Sequence, residues 1–306
     1  MDCCQPNSLL KNMNIKPLCN HLSMLGEGPV WDAANHTILW VDIMGCAVHV
    51  LDRKNNAFHS IATPSMIGSF ALCNDGNIIA ALQDGFVFIN RNTGEMKAIA
   101  NPEKHLPDNR FNDGKTDPAG RFWAGSMSMS SEKGTGNLYM IDGKLHVKKK
   151  IENVSISNGL CWSEDLQYFY YIDTPTMEVV RYDYDNETGE ICNKTTVVSI
   201  PEKEGYPDGM TMDSEGMLWI AHWEGWQAAR WNPFTGEKIH TIHMPVSLVT
   251  SICFGGENMD EMYITSARVG LTDEQLAEEP LAGSSFIIEQ SGYKGSGFAP
   301  FNITQH

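Results

Sequence analysis

Residues 207–219, PDGMTMDSEGMLW, decide how this chain is read. An acidic residue, Asp208, opens a short run rich in apolar residues. The turn sequence Asp213-Ser214-Glu215-Gly216 follows, and the bulky pair Leu218-Trp219 begins the next extended segment. The phrase recurs along the chain. Glu27, Ser69, Asn112, Asn158, Asp208 and Ser251 open six such units, at spacings of 42, 43, 46, 50 and 43 residues. Nine to twelve residues after each opening stands an apolar pair: Leu39-Trp40, Ile78-Ile79, Phe122-Trp123, Phe169-Tyr170, Leu218-Trp219 and Met262-Tyr263.

Short segments rich in aromatic and β-branched residues, punctuated by turns, predict an all-β chain. A third alternating run follows in most units, over 47–51, 136–141, 179–184 and 285–288. Helical periodicity is confined to the acidic stretch 272–279. A period of about 45 residues filled by strands predicts a six-bladed β-propeller, and a propeller closes on itself as one domain. The domain is expected over 15–306, after a polar N-terminal extension over 1–14, with residues 15–22 supplying the outer strand that closes the last blade. Equivalent positions in a radial fold converge on one axis. A central metal site is therefore expected, with the oxygens of Glu27, Asn158 and Asp208 as ligands of one divalent cation: Ca²⁺, Mg²⁺ or Mn²⁺, with Zn²⁺ also accommodated.

Asn-Gly and Asp-Gly are turn dipeptides in their own right; the shared offset across repeats is what argues for convergence. Glycine follows the polar residue directly at Asn158 and Asp208, and after one further residue at Asn112, so backbone can approach closely there. Asp42, Asp173 and Asp213 fit strand ends and turns and are read as structural. The ten histidines show no His-x-x-x-His spacing, and no Gly-x-Ser-x-Gly elbow or phosphate-cradling loop occurs.

The net charge of −16 argues against nucleic acid as a partner, because phosphate binding needs a basic face. No apolar run approaches the roughly 20 residues of a membrane span, and the first residues lack the apolar core of a signal peptide, so a cytoplasmic protein is expected. The eight cysteines contain no Cys-x-x-Cys pair and read as structural thiols. No heptad or apolar stripe announces an interface, which leaves a monomer or weak oligomer.

The segments 26–31 (GEGPVW), 110–125 (RFNDGKTDPAGRFWAG), 156–162 (ISNGLCW) and 206–210 (YPDGM), with 253–256 and 262–268, resemble the SMP-30/gluconolactonase/luciferin-regenerating enzyme family from about residue 17 onward. The resemblance implies Glu27, Asn158 and Asp208 as metal ligands. It implies Asn112 as a water-mediated metal contact or a substrate contact, and Arg110 as a binder of substrate oxygens, a role its fork of donors suits. Family members carry an acidic substrate contact where this chain has Ser130, with Glu132 two residues on. Residues 221–227 (AHWEGWQ) look like the sugar-lactonase branch, in which Trp223 and Trp226 would stack on a sugar face or pack within the blade.

The reading that follows is metal-dependent hydrolysis of an aldonolactone to its sugar acid. The cation would polarise the carbonyl and Asp208 would act as general base. The alternatives are a calcium-binding propeller with little catalysis, and a luciferin-regenerating type of enzyme.

Overall fold

The structure is a computed structural model that describes residues 13–297 and 299–304. The expected extension over 1–14 lies outside the described residues except for its last two positions, as do Cys3 and Cys4.

Among the described residues, the strands form six four-stranded antiparallel sheets, five of them meanders of consecutive strands. The innermost strands are Gly26–Asp32, Ile67–Leu72, Asn109–Thr116, Ser157–Trp162, Tyr206–Met212 and Val249–Gly255. They carry the six opening residues in blade order. The sixth sheet is completed by Ile15–Leu22, which pairs antiparallel with Ser284–Ile288. An N-terminal strand thus closes the ring, as expected from residues 15–22. The acidic stretch becomes the helix Asp273–Glu278, started by a capping box between Thr272 and Gln275.

Blades are held face to face by apolar side chains at alternate strand positions. Trp123, Leu138, Trp162, Phe169 and Tyr171 form one such layer, and Trp31, Trp40, Leu51, Tyr263 and Ile287 form another across the seam between the sixth and first blades. Each large side chain buried in this way contributes roughly 1.5–3 kcal/mol.

The turn aspartates after the inner strands do more than shape hairpins. Asp117 accepts from the indole N–H of Trp123 at 2.9 Å and from Arg121 Nε at 2.6 Å; Asp213 accepts from Trp219 at 2.9 Å and Arg230 Nε at 2.7 Å. Each anchors a buried tryptophan six residues later and pairs with a buried arginine.

All six innermost strands share one irregularity. Their register against the second strand shifts between Glu27 and Val30, Ile67 and Ser69, Phe111 and Gly114, Asn158 and Leu160, Pro207 and Met210, and Val249 and Ser251. A bulge at this point bends the strand and re-aims its side chains, so the axial ends of all six blades are shaped alike.

Candidate active site

Glu27, Asn112, Asn158 and Asp208 lie at or beside these bulges and are all buried. The glycines that follow let adjacent inner strands meet. A side chain at Gly209 would place its Cβ 2.2 Å from Ser251 Oγ, and one at Gly159 would come within 2.8 Å of the Asp208 carbonyl oxygen. A tight ring of inner strands surrounds the polar set.

A chain of hydrogen bonds runs around that ring. Arg110 donates from one Nη to Asn112 Oδ1 at 2.7 Å and to the Phe111 carbonyl at 2.9 Å. Asn112 Nδ2 donates to Asn158 Oδ1 at 2.9 Å and to the Ser157 carbonyl at 2.8 Å. Asn158 Nδ2 donates to Thr174 Oγ1 at 2.8 Å, and Thr174 donates to the Pro207 carbonyl beside Asp208 at 2.8 Å. These bonds fix the Asn158 amide with its oxygen toward the blade that carries Asn112.

The carboxyl groups of Glu27 and Asp208, from the first and fifth blades, come close enough that each acts on the proton affinity of the other. Burial pushes Glu27 well above the usual carboxylate range, and the charges of Asp208 and Asp113 push it further. Asp208 is likewise held well above that range, first by burial and then by Asp113. Asp113 is raised by its own burial, against the opposing pull of Lys115. Burial lowers the Arg110 guanidinium to about 10, although Glu27 and Asp208 favour its charged form. Glu27 and Asp208 act on the half-buried Arg110 and Asp113 on Lys115, so buried carboxyls outnumber the cations around them.

Such an arrangement fits a hard divalent cation. The donors are carboxylate and amide oxygens, and the unfavourable proximity of Glu27 and Asp208 is relieved by positive charge placed between them. Asp113 was not among the residues expected at the site. Strict strand alternation after Asn112 turns the next side chain away from the axis; the bulge between Phe111 and Gly114 removes that alternation. Thr174, from the short 3₁₀ turn Thr174–Thr176, is a second unanticipated member.

Glu132 and Trp223 are placed differently. Glu132 is exposed on the loop after Phe122–Ser128, and its carbonyl accepts from Thr135 Oγ1. Trp223 is half-buried at the end of Leu218–Trp223, where its backbone pairs with Leu248, and it lines a shallow depression with Trp226 and Glu279. Both stand at the end of the propeller on which Arg110 and Asp208 open, since Asn109 pairs with Ser128 and Tyr206 with Trp223. Among the described residues no hydrogen bond, ion pair or ring contact joins either side chain to the axial set. No helix of the described residues is long and apolar enough to cross a membrane.

Residues 25–268 match the family model described as SMP-30/Gluconolactonase/LRE-like region. The chain is 40% identical to regucalcin of Pongo abelii over 282 residues, which cover 90% of this chain and 94% of that one. It is 38% identical over 281 residues to YvrE of Bacillus subtilis (strain 168), named as a proposed sugar lactone lactonase, with 90% and 96% covered. A solved calcium-binding protein, regucalcin from Agrobacterium tumefaciens, superposes with a TM-score of 0.90 at 29% identity, over 94% of this chain and 97% of that one. With four fifths of its length inside the family model and relatives near 40% identity along nearly their whole length, this chain belongs to the SMP-30/gluconolactonase/LRE-like family.

Proposed function

We propose that the protein hydrolyses the ring ester of a sugar lactone with the help of one divalent cation held by Glu27, Asn158 and Asp208. The observation that carries this reading is the meeting of two buried carboxyls, Glu27 and Asp208, beside the Asn158 amide and the Arg110 guanidinium. The similarity to a proposed sugar lactone lactonase supports the substrate class. A cation bound there supplies positive charge for the carbonyl oxygen of the ester as it becomes anionic.

The protein's own groups do the rest. Arg110 presents donors to the oxygens of the lactone and is itself held by Asn112. Asp208, with its proton affinity raised by burial, is suited to take the proton of the attacking water. Trp223 and Glu132 stand on the open side, from which a sugar approaches, and are assigned to the periphery of the binding site.

The test is hydrolysis of gluconolactone, galactonolactone, arabinonolactone and xylonolactone before and after chelation, with Ca²⁺, Zn²⁺, Mn²⁺ and Mg²⁺ restored in turn. Turnover that disappears with chelator and returns with one of the ions is the expected result; full turnover in excess chelator refutes metal dependence. The resemblance to a calcium-binding protein favours a second reading, an ion-binding propeller with little catalysis. Tight calcium binding with no turnover of any lactone selects it.

Arg110→Ala separates binding from metal retention. A guanidinium cannot ligate a cation, and it lies close enough to Glu27 and Asp208 to feel their charge. KM is expected to rise at least tenfold while cation affinity holds or tightens, as read by calorimetric titration. Loss of the cation together with substrate assigns Arg110 a different role.

A pH experiment addresses the carboxyls directly. Glu27 and Asp208 have folded-state proton affinities above their unfolded values. Without a cation, the stability they contribute is full below the ordinary carboxylate pKa of about 4 and is lost as pH rises through their raised values. Tm in chelator should therefore decline as pH rises from the acid side, and saturating cation should remove the decline. Parallel Tm profiles with and without cation contradict this placement of the ion.

A further inference from the structure

Away from the axis, at the seam where the ring closes, three side chains converge: His21 on Ile15–Leu22, the outermost strand of the sixth blade, and Asp42 and His49 on the second and third strands of the first blade. One ligand atom from each lies within 4.8 Å of the others. The Nε2 atoms of both histidines are buried and have no hydrogen-bond partner. Buried polar atoms are nearly always satisfied, and two orphaned ring nitrogens in one place call for a common ligand.

The surroundings hold all three groups in position. His49, 4% exposed, is bonded through Nδ1 to Ser60 Oγ at 2.8 Å, which orients the ring and leaves Nε2 free to face inward. Asp42 accepts backbone N–H groups of Met24, Leu25 and Gly45 at 2.8, 3.0 and 2.9 Å, so its carboxylate cannot rotate away. Phe58 stacks on His21 with ring centroids 5.1 Å apart, and Trp40 lies 5.3 Å from His49. Oriented imidazoles backed by hydrogen bonds, with a tethered carboxylate, have the organisation of a metal site with its supporting shell.

We infer that His21, Asp42 and His49 form a second metal site that takes a divalent ion of the zinc class. Two imidazoles and one carboxylate suit Zn²⁺, Co²⁺ or Ni²⁺ and disfavour the oxygen-seeking Ca²⁺. His21 is half-buried, which places the cluster near the surface. The ion ties the strand that closes the propeller to the neighbouring blade, and binding only the closed ring it stabilises that ring by mass action.

The experiment uses the full chain stripped of metal, with the axial set disabled by Glu27→Gln and Asp208→Asn, so that its result does not depend on the proposed lactonase activity. Zn²⁺ is titrated by calorimetry and by Tm, and Co²⁺ by its visible absorption. One equivalent of Zn²⁺, a rise in Tm and a Co²⁺ spectrum with nitrogen ligands are expected, none of them reproduced by Ca²⁺. His21→Gln and His49→Gln, made in the same background, should each abolish all three. His21→Gln, at the half-exposed position, serves as the decisive variant should His49→Gln fold poorly. Absence of zinc binding by the parent, or an unchanged equivalent in His21→Gln, overturns the inference.

Discussion

Asp208→Asn is expected to lower lactone turnover by roughly 10²- to 10⁴-fold, the usual worth of a positioned base, even with the cation in excess. Asparagine keeps an oxygen for the ion but cannot accept the proton of the attacking water, and it removes one negative charge, so cation affinity falls as well. Burial and the charge of Asp113 already disfavour an ionised Asp208 in the absence of a cation. The amide therefore relieves repulsion, and the metal-free variant should unfold at no lower temperature than the parent. That combination, intact fold with lost turnover at metal saturation, separates chemistry from stability. Near-parental turnover at saturation would assign Asp208 to ligation alone and give the base role to another group.

Asp117→Ala is expected to cost about 3–5 kcal/mol of unfolding free energy, the range for removing one partner of a buried ion pair. Asp117 is completely buried and gathers Arg121, Trp123 and the Tyr184 hydroxyl. Its removal leaves the Arg121 charge buried with only neutral acceptors, the carbonyls of Asn186 and Glu187 and the Tyr184 hydroxyl, and leaves the Trp123 indole N–H unpaired. Asp213→Ala is the internal comparison. Arg230 keeps a second carboxylate, Glu215, at 2.7 Å, so the loss there should be smaller. Denaturant unfolding of both variants checks the order, and an equal or larger loss at Asp213 contradicts the ion-pair account.

Asp117 and Asp213 also show how far a turn motif can be read. Both stand in turn sequences that announce a hairpin, and Asp213 was read as structural for that reason. Their bonds to Trp123 and Trp219 depend on a side chain six residues later folding back over the turn, which no dipeptide preference encodes. Glu132 and Trp223 illustrate the converse: one follows a family position by offset and the other is aromatic in a suggestive segment, yet both side chains stand outside the hydrogen-bonded axial set.

The sequence by itself determined the six-unit period, the strand-rich hairpins, the closing role of Ile15–Leu22, the short helix near 272–279 and the alignment of Glu27, Asn112, Asn158 and Asp208. These follow from local turn chemistry and from side-chain alternation within single strands. Only the tertiary structure decided that every inner strand bulges at its opening residue, that Asp113 joins the axial carboxyls, that Thr174 braces Asn158, and that His21 meets Asp42 and His49 across the closing seam. Each of these depends on register between paired strands or on packing between blades, and neither quantity is carried by any one stretch of the chain.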